Sequence, residues 1–368
     1  MKLEMDRRNF LKTAGGVTLA VSASLLTGCG GSDGGATAPG GSSNSGSGNG
    51  GGTSGGGSTE NPGSGSETGS GSQTSDKVIW VIHSYGDGTA YLIDYDKNGK
   101  RPSGDIVIPD HDDDGNTVIR ISDFALTGYN GTNSAIPEVT SVTIPASIKE
   151  IAQYAFATAE NLKAVSIKGC VTLGEYVFYK CPQLESVELP NTIQKIGRAV
   201  FSGCSKLKNV TLPESLTSVG DNAFYNTGIE SIVIPGTFAM EGAIFADCVK
   251  LKKVVIEPGV TRLMDFSGCT ALEEVTLMDT PNRSLEIRER CFYNCTALRK
   301  IYLPKWVTVG YNAFGCDNNK GVQSNLTDIY YGGSEAEWKE CAQRFGEENQ
   351  CLTKESVRVH YNAKASDL

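Results

Sequence analysis

The stretch "LKNVTLPESLTSVGDNAF", residues 207–224, follows two different rules in its two halves. Val210-Thr211-Leu212 alternates apolar and polar side chains, the pattern of a strand with one buried face. Pro213 then ends the strand, because it has no N–H to offer a ladder. The second half places apolar residues at Leu216, Val219, Ala223 and Phe224. One short segment cannot bury all of these by itself. A stack of equal coils can, each against its neighbours.

Such a stack requires repetition, and the chain supplies it. Past residue 135 the unit recurs every 21–26 residues. Its opening reappears as "VTSVTIP" (139–145), "LESVELP" (184–190), "IESIVIP" (229–235) and "LRKIYLP" (298–304). Versions without the proline stand at "LKAVSIK" (162–168), "LKKVVIE" (251–257) and "LEEVTLM" (272–278). A period of this length marks a β-rich solenoid of the leucine-rich-repeat kind, with parallel strands about 4.8 Å apart. The regularity fails in four places: Gly169 replaces the strand-end proline region in the second unit, "FAMEGAIF" (238–245) distorts the fifth, "VTRLMDFSGC" shortens the sixth by about two residues, and "MDTPNRSLEI" expands the seventh.

The full pattern, "IPxxIxxIGxxAFxxCxxL", resembles the BspA-like leucine-rich repeats of bacterial surface proteins and runs almost continuously from Thr140 to Leu303. The resemblance implies a right-handed coil stack with N- and C-terminal caps. "IVIPD…NTVIRISDFAL" (106–126) looks like the first coil of such a protein, and "LTDIYYGGSEAEWKEC" (326–341) with "VRVHYN" (357–362) is similar to its closing segment. The expected organisation is an N-terminal β cap at 76–135, the repeat solenoid at 136–330 and a C-terminal cap at 331–368.

Five copies of Phe-x-x-Cys-x-x-Leu place Cys181, Cys204, Cys248, Cys269 and Cys295 at one repeat position. Ala159 and Thr227 hold the same position in two other units. A metal ligand or nucleophile would not exchange with alanine and threonine, whereas a small buried residue would. Stacked equivalents also project their Cβ atoms in parallel, a poor arrangement for the disulfide torsion. Free, buried thiols are therefore expected in this ladder. Cys341 and Cys351, outside it, are the pair better suited to a bridge.

The N-terminus reads as an address. Arg7-Arg8-Asn9-Phe10-Leu11-Lys12 resembles a twin-arginine export motif, and the apolar run "VTLAVSASLL" after it is too short to span a bilayer. Leu26-Thr27-Gly28-Cys29 resembles a lipobox, which would make Cys29 the lipidated first residue of the mature chain. Residues 1–29 are thus an expected export signal. Residues 30–75, almost wholly Gly, Ser, Thr, Asn and Pro, cannot bury enough apolar surface to offset their ordering entropy and read as a disordered tether. The expected location is extracytoplasmic, with the membrane met only through the lipid.

Function classes narrow by elimination. With 33 basic against 42 acidic residues, a net charge of −9 and no basic stripe, nucleic acid is disfavoured as a partner. The three histidines, His83, His111 and His360, lie in no catalytic motif, and no phosphate-binding glycine loop joins a strand to a helix. We expect neither an enzyme nor a cofactor. Asp94, Asp96, Asn98 and Asp105 have the spacing of a calcium loop, and Asp110-His-Asp112-Asp-Asp114-Gly115 matches its opening. No helix pattern flanks either stretch, and both also read as polar turns.

The outward face of the strand ladder remains. One column on it reads Thr143, Ser166, Glu188, Thr211, Val233, Val255, Thr276, Tyr302; its neighbour includes Lys253 and Lys300. Solenoids bind along such extended faces. With a single aromatic residue in these columns, a protein ligand fits better than a glycan. The expected function is protein binding or adhesion to host matrix or a neighbouring cell surface. A non-catalytic scaffold in a cell-envelope assembly stays open as the alternative.

Overall fold

A computed structural model of the protein describes residues 78–127, 135–264, 266–280, 284–315 and 325–368. The export motif, Cys29 and the tether lie outside the described residues.

The repeat fold is leucine-rich, built mostly from short strands in parallel sheets. Among the described residues these form four sheets. Most coils contribute one longer strand and one of two or three residues. Longer strands β3 (Ser103–Val107), β5 (Glu138–Ile144), β7 (Ala164–Ile167) and β9 (Ser186–Glu188) make one sheet. A second contains β12 (Ser231–Ile234), β13 (Lys253–Ile256), β15 (Glu274–Leu277), β17 (Lys300–Leu303), β19 (Asp328–Tyr331) and β20 (Arg358–His360). In a third sheet the hairpin of β1 (Trp80–Ser84) and β2 (Thr89–Tyr95) is followed by β4 (Thr117–Ile121), β6 (Glu150–Ile151), β8 (Thr172–Leu173), β10 (Lys195–Ile196) and β11 (Ser218–Val219). The fourth holds β14 (Arg262–Leu263), β16 (Leu285–Ile287) and β18 (Val307–Val309). That hairpin is antiparallel, and the pairings between coils are parallel.

Alternation along each strand sends one set of side chains inward. Val142, Val165, Val187, Ile232, Val254, Val275 and Ile301 are all buried at equivalent places. The longer series breaks inside the regular unit 207–224: the strand expected over residues 210–212 is not formed, and Asn209 keeps only an isolated bridge to Ser186. The shorter series breaks at the irregular residues 238–245, which supply no strand.

The phenylalanine spine does not break. Phe156, Phe178, Phe201, Phe224, Phe245, Phe266, Phe292 and Phe314 stack ring on ring, with centroids 5.2–5.7 Å apart. All eight are buried. Each regular turn holds its ring by placing the residue two before and the residue two after it in the left-handed backbone region. Tyr154 and Thr158 do this around Phe156, Tyr176 and Lys180 around Phe178, and Asn222 and Asn226 around Phe224. The twist aims alternate N–H groups at the next coil, as in Tyr176 N to Arg198 O (2.8 Å) and Phe178 N to Val200 O (2.9 Å).

The ladder cysteines are buried free thiols. Each donates to the carbonyl of the phenylalanine one coil earlier: Cys181 to Phe156 (3.3 Å), Cys204 to Phe178 (3.1 Å), Cys248 to Phe224 (3.1 Å), Cys269 to Phe245 (3.2 Å) and Cys295 to Phe266 (3.2 Å). The small buried residue expected from sequence is therefore also a donor. Burial pushes the Cys204 thiol well above its ordinary range. The bridge that the sequence left open between Cys341 and Cys351 is not formed: Cys341 is a free thiol, while Cys351 is disulfide-bonded, so its partner is another residue.

After the last repeat, helix α1 (Glu335–Ala342) starts at a capping box of Ser334 and Glu337. It buries Trp338 edge-on against Tyr331 (5.2 Å) and Phe345 (5.6 Å).

Candidate binding face

Strand pairing reproduces the two columns read from sequence. Val233, Val255, Thr276 and Tyr302 are register partners in successive strands, as are Ser231, Lys253, Glu274 and Lys300. Both columns run further than the sequence reading carried them. Tyr302 pairs with Tyr330 and then His360, and Lys300 with Asp328 and then Arg358.

The exposure of the face departs from expectation. Val255 is 6% exposed, Thr276 3% and Tyr302 0%, so these three do not offer a contact surface. Val233 and Lys253 are half-buried, while Glu188, Thr211 and Lys300 are exposed. Around Tyr302 the cause is visible. Its hydroxyl donates to Asp279 (2.8 Å), it lies against Gly332, and Asp367 near the C-terminus acts on it electrostatically. Burial, followed by Asp279, pushes the Tyr302 phenol above its ordinary range.

This half of the face also satisfies its own charges. Lys253 and Glu274 form an ion pair across neighbouring strands. Asp328, almost wholly buried, takes Arg358 and the His360 ring at 3.0 Å each. Burial opposes ionisation of Asp328, but hydrogen bonds from His360, Thr327 and Arg358 together outweigh it and hold the carboxyl at about 2.

The N-terminal half of the face is open. Val107, Thr143, Ser166 and Glu188 stand side by side in register, with Val107 65% exposed. Ser166 donates to Glu188, and Lys168 pairs with the same carboxylate (2.9 Å), which lowers its titration below the ordinary range. Thr211 continues the strip from a coil that forms no ladder of its own.

A third column went unread although the sequence displays it. In seven consecutive coils the residue at the entry to the longer-strand position alternates in sign: Lys163, Glu185, Lys208, Glu230, Lys252, Glu273, Arg299. Backbone hydrogen bonds from each to the one before join all seven, at 2.8–3.4 Å, and all are exposed. Alternation avoids like charges on adjacent coils, where they would be destabilising. Noting the sign of that position in each repeat would have found it.

The calcium candidates do not converge. Asp94 pairs with Lys97 (3.1 Å) and Asp96 accepts the Asn98 N–H (2.9 Å). Asp105 sits on β3 and accepts from the hydroxyls of Ser141 (2.6 Å) and Thr140 (3.1 Å), which lower its titration. Asp112 closes its own loop through Asn116. Among the described residues no group of three or more His, Cys, Asp or Glu side chains is placed to hold a metal ion. Nor is any helix there long and apolar enough to cross a membrane.

Coils of 21–26 residues, a stacked phenylalanine spine and a parallel ladder define the architecture, and sequence comparison names it. A model of the BspA type leucine-rich repeat region matches residues 133–252 and 239–333, with six copies. The chain belongs to the BspA-type leucine-rich repeat family. Leucine-rich repeat families generally act as non-catalytic scaffolds for protein–protein interaction. No curated protein matches this BspA-type chain. Similar solved structures include a T. pallidum leucine-rich repeat protein, TpLRR, at 25% identity and a TM-score of 0.44, covering 60% of this chain and 88% of that one. A leucine-rich cell surface protein of Faecalibacterium prausnitzii is 21% identical with a TM-score of 0.38, covering 80% and 97%. The pneumococcal vaccine antigen PcpA is 16% identical with a TM-score of 0.36, covering 78% and 98%.

Proposed function

We propose that this BspA-type protein is exported through the Arg7-Arg8 signal, lipidated at Cys29 and displayed outside the cytoplasm on the 30–75 tether. Its solenoid, closed by caps at 76–135 and 331–368, binds a protein ligand of host matrix or a neighbouring cell. The observation that carries this reading is the open strip of Thr143, Ser166, Glu188 and Thr211, which ends at a 65%-exposed Val107 where the N-terminal cap meets the solenoid. An apolar anchor beside polar side chains suits a protein contact. The test is capture of solubilised extracellular matrix by the immobilised full chain. Loss of capture in Val107→Lys, at an unchanged melting temperature, is the expected result. Equal capture by that variant would remove the strip from the binding role.

The self-satisfied half of the face, with Lys253 on Glu274 and Arg358 on Asp328, favours a second reading as a non-catalytic scaffold of the cell envelope. Cross-linking on intact cells separates the two. A scaffold links to envelope proteins of its own cell, an adhesin to added matrix.

A further inference from the structure

The alternating charges at the entry to the longer strands do not pair with one another. Elsewhere on this surface charged groups find partners: Lys253 meets Glu274, Lys168 meets Glu188, and Lys206 donates to Gln183. Among the described residues, no ion pair or side-chain hydrogen bond engages any of the column from Lys163 to Arg299, although every member is exposed. Nor does the stack require charge there. Thr140 and Thr327 hold the same position at the two ends, joined to the column by Lys163 N to Thr140 O (2.8 Å) and Thr327 N to Arg299 O (2.9 Å). Neutral residues would avoid like-charge contacts equally well. What remains is a row of uncommitted charges of alternating sign, one per coil, at the ladder's pitch of about 4.8 Å.

We propose that this column is a self-association surface whose partner is a second copy of the chain. A partner must match both sign and pitch to close several such pairs at once, and a second copy has the same pitch by construction. Symmetry then selects the arrangement. Laid parallel, each residue meets its own copy, and like faces like. Laid antiparallel about a two-fold axis through the Glu230 coil, Lys163 meets Arg299 and Glu185 meets Glu273, so like again faces like. That setting would also put Lys206 against Lys250.

An offset of one coil reverses every contact. With the axis between the Glu230 and Lys252 coils, Glu230 meets Lys252, Lys208 meets Glu273 and Glu185 meets Arg299, each twice. The guanidinium of Arg299 can take the Glu185 carboxylate through two parallel N–H bonds. The neighbouring column does not oppose this setting, because Ser231, Asn209 and Ser186 would face Lys253, Glu274 and Lys300, a neutral residue against each charge. Exposed pairs are individually weak and screened by salt, so the contact depends on several closing together. It needs neither a matrix ligand nor an anchor, and stands whether or not the strand strip binds protein.

Sedimentation of the full chain at about 0.1 mM tests this at about 10 mM and about 300 mM salt, between which the screening length falls from about 30 Å to below about 8 Å. A dimer at low salt that dissociates at high salt is expected. Glu185→Lys, Glu230→Lys and Glu273→Lys together make the column wholly basic. Lys163→Glu, Lys208→Glu, Lys252→Glu and Arg299→Glu together make it wholly acidic. Each variant alone should associate at least about tenfold more weakly than the parent, and an equimolar mixture should recover a one-to-one complex. Glu185→Gln with Glu230→Gln and Glu273→Gln removes the acids without adding like charges to adjacent coils. It should be monomeric at an unchanged melting temperature, which separates lost contact from lost fold. A parent that stays monomeric at low salt, a dimer that persists in the glutamine variant, or folded variants of opposite charge that do not combine would each overturn the proposal.

Discussion

The thiol of Cys204 donates to the carbonyl oxygen of Phe178, 3.1 Å away and one coil earlier. The left-handed residues around each phenylalanine turn that carbonyl inward, away from the strand ladders, so the thiol completes its hydrogen bonding. Cys204→Ala leaves the carbonyl buried without this donor and should cost about 1–2 kcal/mol. Cys204→Ser keeps a donor and should cost less. Urea unfolding of the two variants checks the ordering; alanine as stable as serine would reduce the cysteine to a space-filler.

Phe201 lies in mid-spine, 5.6 Å from the Phe178 ring and 5.3 Å from Phe224. Phe201→Ala removes a fully buried ring and two stacking contacts at once and should cost about 3–5 kcal/mol. Calorimetry and urea titration read this directly. A loss below about 1 kcal/mol would mean that the strand ladders, not the spine, hold the coils in register.

Periodicity explains what the sequence made legible. Val210, Leu212, Leu216 and Phe224 repeat at fixed spacing, so the strand register and the column Val233, Val255, Thr276, Tyr302 follow from one unit. The left-handed positions were not legible, because residues as unlike as Tyr154, Ala199, Asn222 and Arg290 occupy one of them. Burial of Tyr302 was hidden for another reason. Gly332, which lies against its hydroxyl, is 30 positions further along, and no local pattern encodes its return to the face. The pairing of β19 with β20 lies outside the period, because helix α1 is inserted between them, although "LTDIYY" keeps the alternation.

Asp328 gives the C-terminal half a defined acid sensitivity. Its carboxyl, ordinarily at 3.8, is held at about 2 in the folded chain, so the unfolded state binds the proton more readily. The stabilisation is complete above about pH 4 and is lost as pH falls through about 2. With solvent screening it should amount to roughly 1–2 kcal/mol. Comparing unfolding free energies of Asp328→Asn and the parent at pH 6 and pH 2.5 measures it. The gap should narrow at the lower pH, and a gap independent of pH would mean that Asp328 does not titrate with folding.

The two halves of the strand face should respond differently to substitution. Glu188 and Thr211 are exposed and their side chains contribute little to packing, so Glu188→Lys combined with Thr211→Lys should lower the melting temperature only slightly, by the loss of the Lys168 pair. If the strip engages a protein, the same pair should weaken matrix capture about tenfold, since reversed charge and added bulk act where a partner would sit. Tyr302→Phe should do the opposite. It removes the 2.8 Å bond to Asp279 from a buried position and should lower stability by about 1 kcal/mol, with capture intact. Thermal melts and surface capture on the same preparations supply both readouts. Capture lost with Tyr302→Phe but kept with the double variant would relocate the contact surface to the C-terminal half, and Asp279 with the segment around Asp367 would then have to move aside for a ligand to reach it.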